Sequence, residues 1–132
     1  MTTIPPIGPL PRPTSPDDAR EVLKRESFAA PDVQRVTLDA TEFTSICPRT
    51  GQPDFGRVEI SYTPAARCLE SKSVKYYLWS FRDEGAFCEQ LAGRIADDVV
   101  YAIAPRHVTV RVFQHVRGGI AIVAEADRDG PA

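Results

Sequence analysis

What the chain lacks narrows its reading first. Its 132 residues contain no apolar run near the roughly 18 that cross a bilayer, so no membrane role is expected. The three cysteines, Cys47, Cys68 and Cys88, are odd in number, widely spaced and without a CxxC, which excludes a disulfide framework and a structural zinc site. No GxGxxG is present, so a Rossmann cofactor site is not encoded. Neither sign of charge is in real excess: 16 Lys+Arg against 18 Asp+Glu leave −2. Nucleic-acid binding through bulk electrostatics is therefore not expected. The start MTTIPPIGPL lacks a basic flank, and its prolines interrupt the apolar helix of a signal peptide, so a cytoplasmic location is the expectation.

Proline is plentiful but unevenly placed. Six of the twelve fall in the first sixteen residues, at Pro5, Pro6, Pro9, Pro11, Pro13 and Pro16. Such a stretch cannot donate regular backbone hydrogen bonds and favours extended geometry. Residues 1–30 thus read as a proline-rich arm carrying a short helix from about Asp17 to Arg25, opened by Ser15-Pro16-Asp17-Asp18. Within the arm, PLPRP also fits an SH3-type ligand; a solvated arm is the simpler reading. One domain is expected over residues 31–127, followed by a short frayed tail at 128–132.

Inside the domain the hydrophobic period changes twice. Val33 to Phe43 alternates as a strand, Cys47 to Pro53 is turn-rich, and Gly56 to Arg67 alternates again. Val74, Tyr77, Leu78 and Phe81 then share one face of a helix. A second helix is expected from about Gly85 to Ala104, with Phe87, Leu91 and Ile95 inward and Pro105 as its stop. His107 to His115 and Ile120 to Ala126 are strands joined at Gly118-Gly119. The order β-β-α-α-β-β implies an α+β fold, a four-stranded antiparallel sheet with two helices on one face. Its other face and its edges stay uncovered, which favours a homo-oligomer.

Few residues are equipped for chemistry. By type alone Cys47 is a buried hydrophobe; its place in the loop Thr44–Phe55, near Arg49, favours a reactive thiol instead. Asp54 is either a turn residue or a proton donor folded back over that thiol. From Arg67 to Arg82 four basic residues meet one acid, Glu70, a local +3 in an acidic chain. Lys72, Lys75, Tyr76 and Trp79 form a stripe there, either a solvated face or a phosphate-binding one helped by the helix dipole. Glu89, beside Cys88, is either a surface residue or a carboxylate able to take two N–H bonds from a purine-like edge.

Four segments then converge on a family. SICPRTGQPDF, ESKSVKYYLWSFR, the Phe87-Cys88-Glu89 segment and Arg117-Gly118-Gly119-Ile120, in that order, resemble the single-module NADPH-dependent nitrile reductases of queuosine biosynthesis, which convert 7-cyano-7-deazaguanine to its aminomethyl form. The resemblance runs from about Val33 to Ile120. It implies the tunnelling fold (T-fold), β-β-α-α-β-β, assembled into oligomeric barrels with sites between subunits. It implies Cys47 as the nucleophile forming a covalent thioimide and Asp54 as the proton donor. Glu89 and Cys88, with Leu69, Glu70 and Ser71, would line the substrate pocket. Lys72, Lys75 and Arg117 would meet the phosphates of NADPH, and no metal is implied. Two departures stand out. Cys88 occupies the place where the family usually carries His, which keeps open an amidine-forming or a non-reducing, substrate-binding variant. After Ile120 the chain also reads AIVAEADRDG, where the family usually continues toward an Asp-Pro-Tyr-like end.

Overall fold

The structure, a computed structural model, describes residues 11–131; the first part of the proline-rich arm, with the start of PLPRP, lies outside the described residues. Three helices and six strands follow one another as α1 (Pro16–Glu26), β1 (Phe28–Ala29), β2 (Val36–Ile46), β3 (Pro53–Thr63), β4 (Arg67–Cys68), α2 (Ser71–Trp79), α3 (Cys88–Ile103), β5 (His107–Arg117) and β6 (Ile120–Asp129). The main sheet has the order β2-β3-β5-β6 and is antiparallel throughout; β1 and β4 form a separate two-stranded pair. This is the α+β arrangement of the T-fold.

Each helix starts where its sequence supplies a cap. Ser15 accepts the Asp18 N–H at 3.1 Å with Pro16 in the first turn, and Lys24 and Arg25 close the other end of α1. The Glu70 carboxylate accepts the N–H groups of Lys72 and Ser73, both at 2.8 Å, and so opens α2. In α3 the Phe87 N–H donates to Gln90 Oε1 at 2.9 Å. That helix begins three residues later than its apolar pattern predicts, because Glu84 to Ala86 pair with the end of β2. Ile46 N–H donates to Glu84 O at 3.0 Å, and Ala86 N–H to Ile46 O at 3.2 Å. Phe87 therefore stands outside the helix and is 43 % exposed, not inward.

The inner face of the sheet carries Val58, Ile60, Tyr62, Val108, Val110 and Val112, all buried against Leu91, Ile95 and Val99 of α3 and Val74 and Tyr77 of α2. Ala19 and Leu23 of α1 belong to the same core, so the helix expected within the arm packs onto the domain. β6 continues to Asp129, where a frayed tail was expected, because Asp127 and Asp129 pair in register with Thr109 and His107.

Two irregularities shape one end of the sheet. In β2, Ala40 pairs with Val58 but Phe43 with Gly56, so one extra residue is inserted there. In β5, Gln114 pairs with Ile122 but Arg117 with Ile120, a second insertion before the Gly118-Gly119 turn, whose φ values of +59° and +79° suit glycine. A bulge of one residue reverses which face the following side chains meet. Beyond it, Phe43 and Ser45 of β2 turn inward, and Arg117 of β5 turns toward the face that carries Asp54.

Candidate active site

The loop between β2 and β3 is tied by two backbone bonds. Cys47 N–H donates to Gln52 O and Gly51 N–H to Cys47 O, each at 2.9 Å, with Gly51 at φ +71°. This closure turns the backbone N–H groups of Arg49 and Thr50 and the Thr50 hydroxyl toward the Cys47 sulfur. The Thr50 hydroxyl first, then those two N–H groups, lower the thiol to about 7, with a smaller contribution from the charge of Arg117 opposing the effect of burial. Cys47 is half-buried and free.

Asp54, in β3 opposite Ser45, is 8 % exposed and forms an ion pair with Arg117 Nη1. The same guanidinium reaches Gln52 Oε1 at 3.4 Å. Asp54 lines a small cavity with Phe43, Ser45, Gly56, Cys88 and Val112. Gly56 is required there: a Cβ on it would stand 2.2 Å from the Phe113 carbonyl oxygen. The Cys88 thiol points into the sheet and donates to Val112 O at 3.4 Å. Burial, and next the Glu89 charge, push it upward. Glu89, the second residue of α3, is exposed.

Cys47, Asp54, Arg117, Cys88 and Glu89 thus share one end of the molecule. Leu69, Glu70, Ser71 and Lys72 stand at the other end of β3, and Lys75 follows one turn further along α2. Leu69 N–H donates to the Tyr62 hydroxyl at 2.9 Å, and Tyr62 lies eight residues along β3 from Asp54, roughly 26 Å for an extended strand. Glu70 spends its carboxylate on the start of α2, so the amide groups that were expected to attract phosphate already hold an anion. Arg117, which the resemblance places on the cofactor with the two lysines, pairs with Asp54. The cavity near Asp54 measures about 10 Å³, space for about one water and far too little for a bicyclic base.

Ser45, Thr50, Gln52 and Gly56 belong to this end and were not singled out in the sequence. Ser45, Thr50 and Gln52 lie inside the quoted loop motif, so their proximity to Cys47 was readable; the inward turn of Ser45 and the place of Gly56 depend on strand register. Among the described residues no cluster of His, Cys, Asp or Glu is arranged for a metal, and no helix is long and apolar enough to cross a membrane.

A two-hairpin T-fold domain with a free thiol lowered to about 7 in its first hairpin, at the same end as a buried acid, is the class of protein that the fold and site define. Comparison with known proteins gives the family. A profile described as QueF-like protein matches residues 53–132. An Anaeromyxobacter sp. (strain Fw109-5) protein named NADPH-dependent 7-cyano-7-deazaguanine reductase is 49 % identical over 117 residues, covering 86 % of this chain and 92 % of that one. A protein of the same name from Syntrophus aciditrophicus (strain SB) is 47 % identical, covering 86 % and 84 %. The crystal structure of an archaeosine synthase QueF-Like in the apo form superposes with a TM-score of 0.71 at 25 % identity, covering 77 % of this chain and all of that one. The chain belongs to the QueF-like protein family.

Proposed function

We propose that the chain is an NADPH-dependent reductase of 7-cyano-7-deazaguanine, yielding the aminomethyl base used in queuosine biosynthesis. One observation carries the reading: the Cys47 thiol, held near 7 beside the Asp54–Arg117 pair, in a chain about half identical to reductases of that name. At neutral pH a large share of Cys47 is thiolate, the form that attacks an electrophilic carbon. Its sulfur adds to the nitrile carbon, one C–N π bond opens, and the nitrogen takes a proton, leaving a thioimide on Cys47. Asp54 is the acid that supplies this proton once its pair with Arg117 opens. Glu89 accepts the N–H groups of the pyrimidine edge.

NADPH, when bound, supplies hydride to the carbon in two successive rounds. The fit of this chain to that cofactor rests on Lys72 and Lys75, both exposed on α2, a helix that carries no acidic side chain within Ser71–Trp79. They hold phosphate by charge and not through the helix terminus, which Glu70 occupies. Because Leu69 and the start of α2 lie at the Tyr62 end of β3, away from Cys47, a complete site needs the start of α2 from a second copy. Leu69, Glu70 and Ser71 then line the pocket from that neighbour, which makes the working enzyme a homo-oligomer with shared sites. A nucleophile kept as a free thiol suits the reducing cytoplasm.

The amidine-forming and non-reducing alternatives find no support, since the relatives at 47–49 % identity carry the reductase name. The direct test is NADPH consumption by the purified protein with 7-cyano-7-deazaguanine, lost in Cys47→Ala. A well-folded wild-type protein that leaves NADPH untouched overturns the proposal.

A further inference from the structure

α2 carries more than its lysines. Tyr76 and Trp79 follow Lys72 and Lys75 along the same stripe, at i+4 and i+7 from Lys72. The two rings meet edge to face, with centroids 6.4 Å apart and planes at 88°. Tyr76 packs partly on the core, whereas Trp79 is 38 % exposed, so the Tyr76 ring braces an indole open to solvent. Among the described residues neither lysine of the stripe enters an ion pair. The face is therefore cationic at one end and aromatic at the other. At 1.5 Å rise per residue the two ends are about 10 Å apart, with Lys75 one turn from Trp79. That pairing of unneutralised ammonium groups with a braced aromatic ring matches a ligand that is anionic at one end and a flat heteroaromatic base at the other.

We propose that the Tyr76–Trp79 ledge is the adenine-binding surface for NADPH, with Trp79 stacking on the base and Lys75 meeting the adjacent phosphate. The inference rests on the reductase reading and extends it, since it names the groups that hold the adenosine half of the cofactor. Stacking on a flat base explains why a tryptophan is left exposed on this helix, beside a shared site. Tyr76 is a positioning residue here: its ring fixes the indole and does not touch the base.

The chain contains a single tryptophan, so its fluorescence reports on this surface alone. Titration of the intact protein with adenosine 2′,5′-bisphosphate, which has the adenosine and its phosphates but no nicotinamide, is expected to quench Trp79 emission saturably, while nicotinamide mononucleotide does not. In steady-state assays Trp79→Ala is expected to raise KM for NADPH about tenfold, equivalent to about 1.4 kcal/mol, with kcat nearly unchanged and Trp79→Phe close to wild type. Lys75→Gln is expected to weaken NADPH and the bisphosphate together. If the wild type oxidises NADPH but Trp79→Ala keeps its KM and the bisphosphate leaves emission unchanged, the inference is overturned while the reductase reading stands. It is equally overturned if Trp79→Ala only dissociates the oligomer in size-exclusion chromatography, which would make the ledge a subunit contact. If the wild type does not turn over, the reductase reading fails by itself, and saturable quenching by the bisphosphate still decides whether the ledge binds adenosine.

Discussion

Arg117 and Asp54, 63 positions apart in the chain, form an ion pair on the inner side of the sheet beside the Cys47 loop. An ion-paired carboxylate accepts hydrogen bonds and has no proton to donate, so the pair describes a resting state. With Asp54 as the proposed acid, the guanidinium has to let go before proton transfer, which frees Arg117 to meet substrate or cofactor. Replacing Arg117 by Ala is expected to lower kcat more than it raises KM for NADPH. Lys75→Gln is expected to do the reverse. Steady-state kinetics on the two variants separate an arginine that governs the acid from one that only binds phosphate; equal profiles would rule out the first role.

The second expectation concerns the thiol. A folded value near 7, against an ordinary 9.0, makes Cys47 mostly thiolate above neutrality and mostly thiol below it. The rate of alkylation by iodoacetamide should therefore rise with a midpoint near pH 7. Thr50→Val removes the largest stabilising contact and should move that midpoint upward. Cys88, buried and pushed the other way, should stay unmodified in the same experiment, as mass spectrometry of the peptides would show.

Separation of the two groups of site residues leads to a third. If the Cys47 end and α2 of different copies build one site, mixing Cys47→Ala with Lys75→Glu protein under subunit exchange should restore part of the activity that each lacks alone. No recovery despite demonstrated exchange would mean that each chain completes its own site.

A fourth lies at the opposite end of β5. His107 sits between Asp129, 2.8 Å from Nδ1, and Asp127, 3.1 Å from Nε2, with the Thr109 hydroxyl beside it. Asp129 first and Asp127 next raise His107 above 6.5, and Thr109 followed by His107 lowers Asp127 below 3.8. The histidine's contribution is present in full below pH 6.5 and lost as pH rises through its raised folded value. That of Asp127 is present above 3.8 and lost as pH falls through its depressed one. The clip is thus complete between about 3.8 and 6.5. The melting temperature should decline modestly as pH rises beyond that window, since the groups are exposed, and His107→Gln should flatten this slope.

Much of this was legible in the sequence. The alternation in Gly56–Tyr62 and in His107–Val112, and the helical spacing of Val74 to Phe81, belong to residues buried on one face, where period and burial coincide. The long loop motif brought Cys47 and Asp54 forward together. What escaped has a common physical cause: it depends on pairing between distant segments. β1 and β4 are two residues each and exist only through one another. The late start of α3 follows from the bonds of Glu84 to Ala86 with Ile46. The resemblance assigned Arg117 to the cofactor phosphates; simple alternation along β5 would turn it outward, and only the extra residue before it brings it to Asp54. The resemblance put Leu69 to Ser71 in the same pocket as Cys47, and the length of β3 sets the two apart within one chain.

The two bulges also bear on how such a protein tolerates change. Most of the sheet would absorb a conservative substitution with a small loss of packing. Loss of one residue from the 41–42 or the 115–116 stretch is a different kind of event. It would leave every strand present and the core composition nearly intact, yet Ser45 or Arg117 would exchange faces. The sheet and core would remain, while Ser45 would leave the cavity beside Asp54 or Asp54 would lose its pair with Arg117. Insertions and deletions near the hairpin ends are thus expected to disturb the candidate site, whereas those at Ala65 and Ala66, in the exposed turn before β4, are expected to touch stability alone.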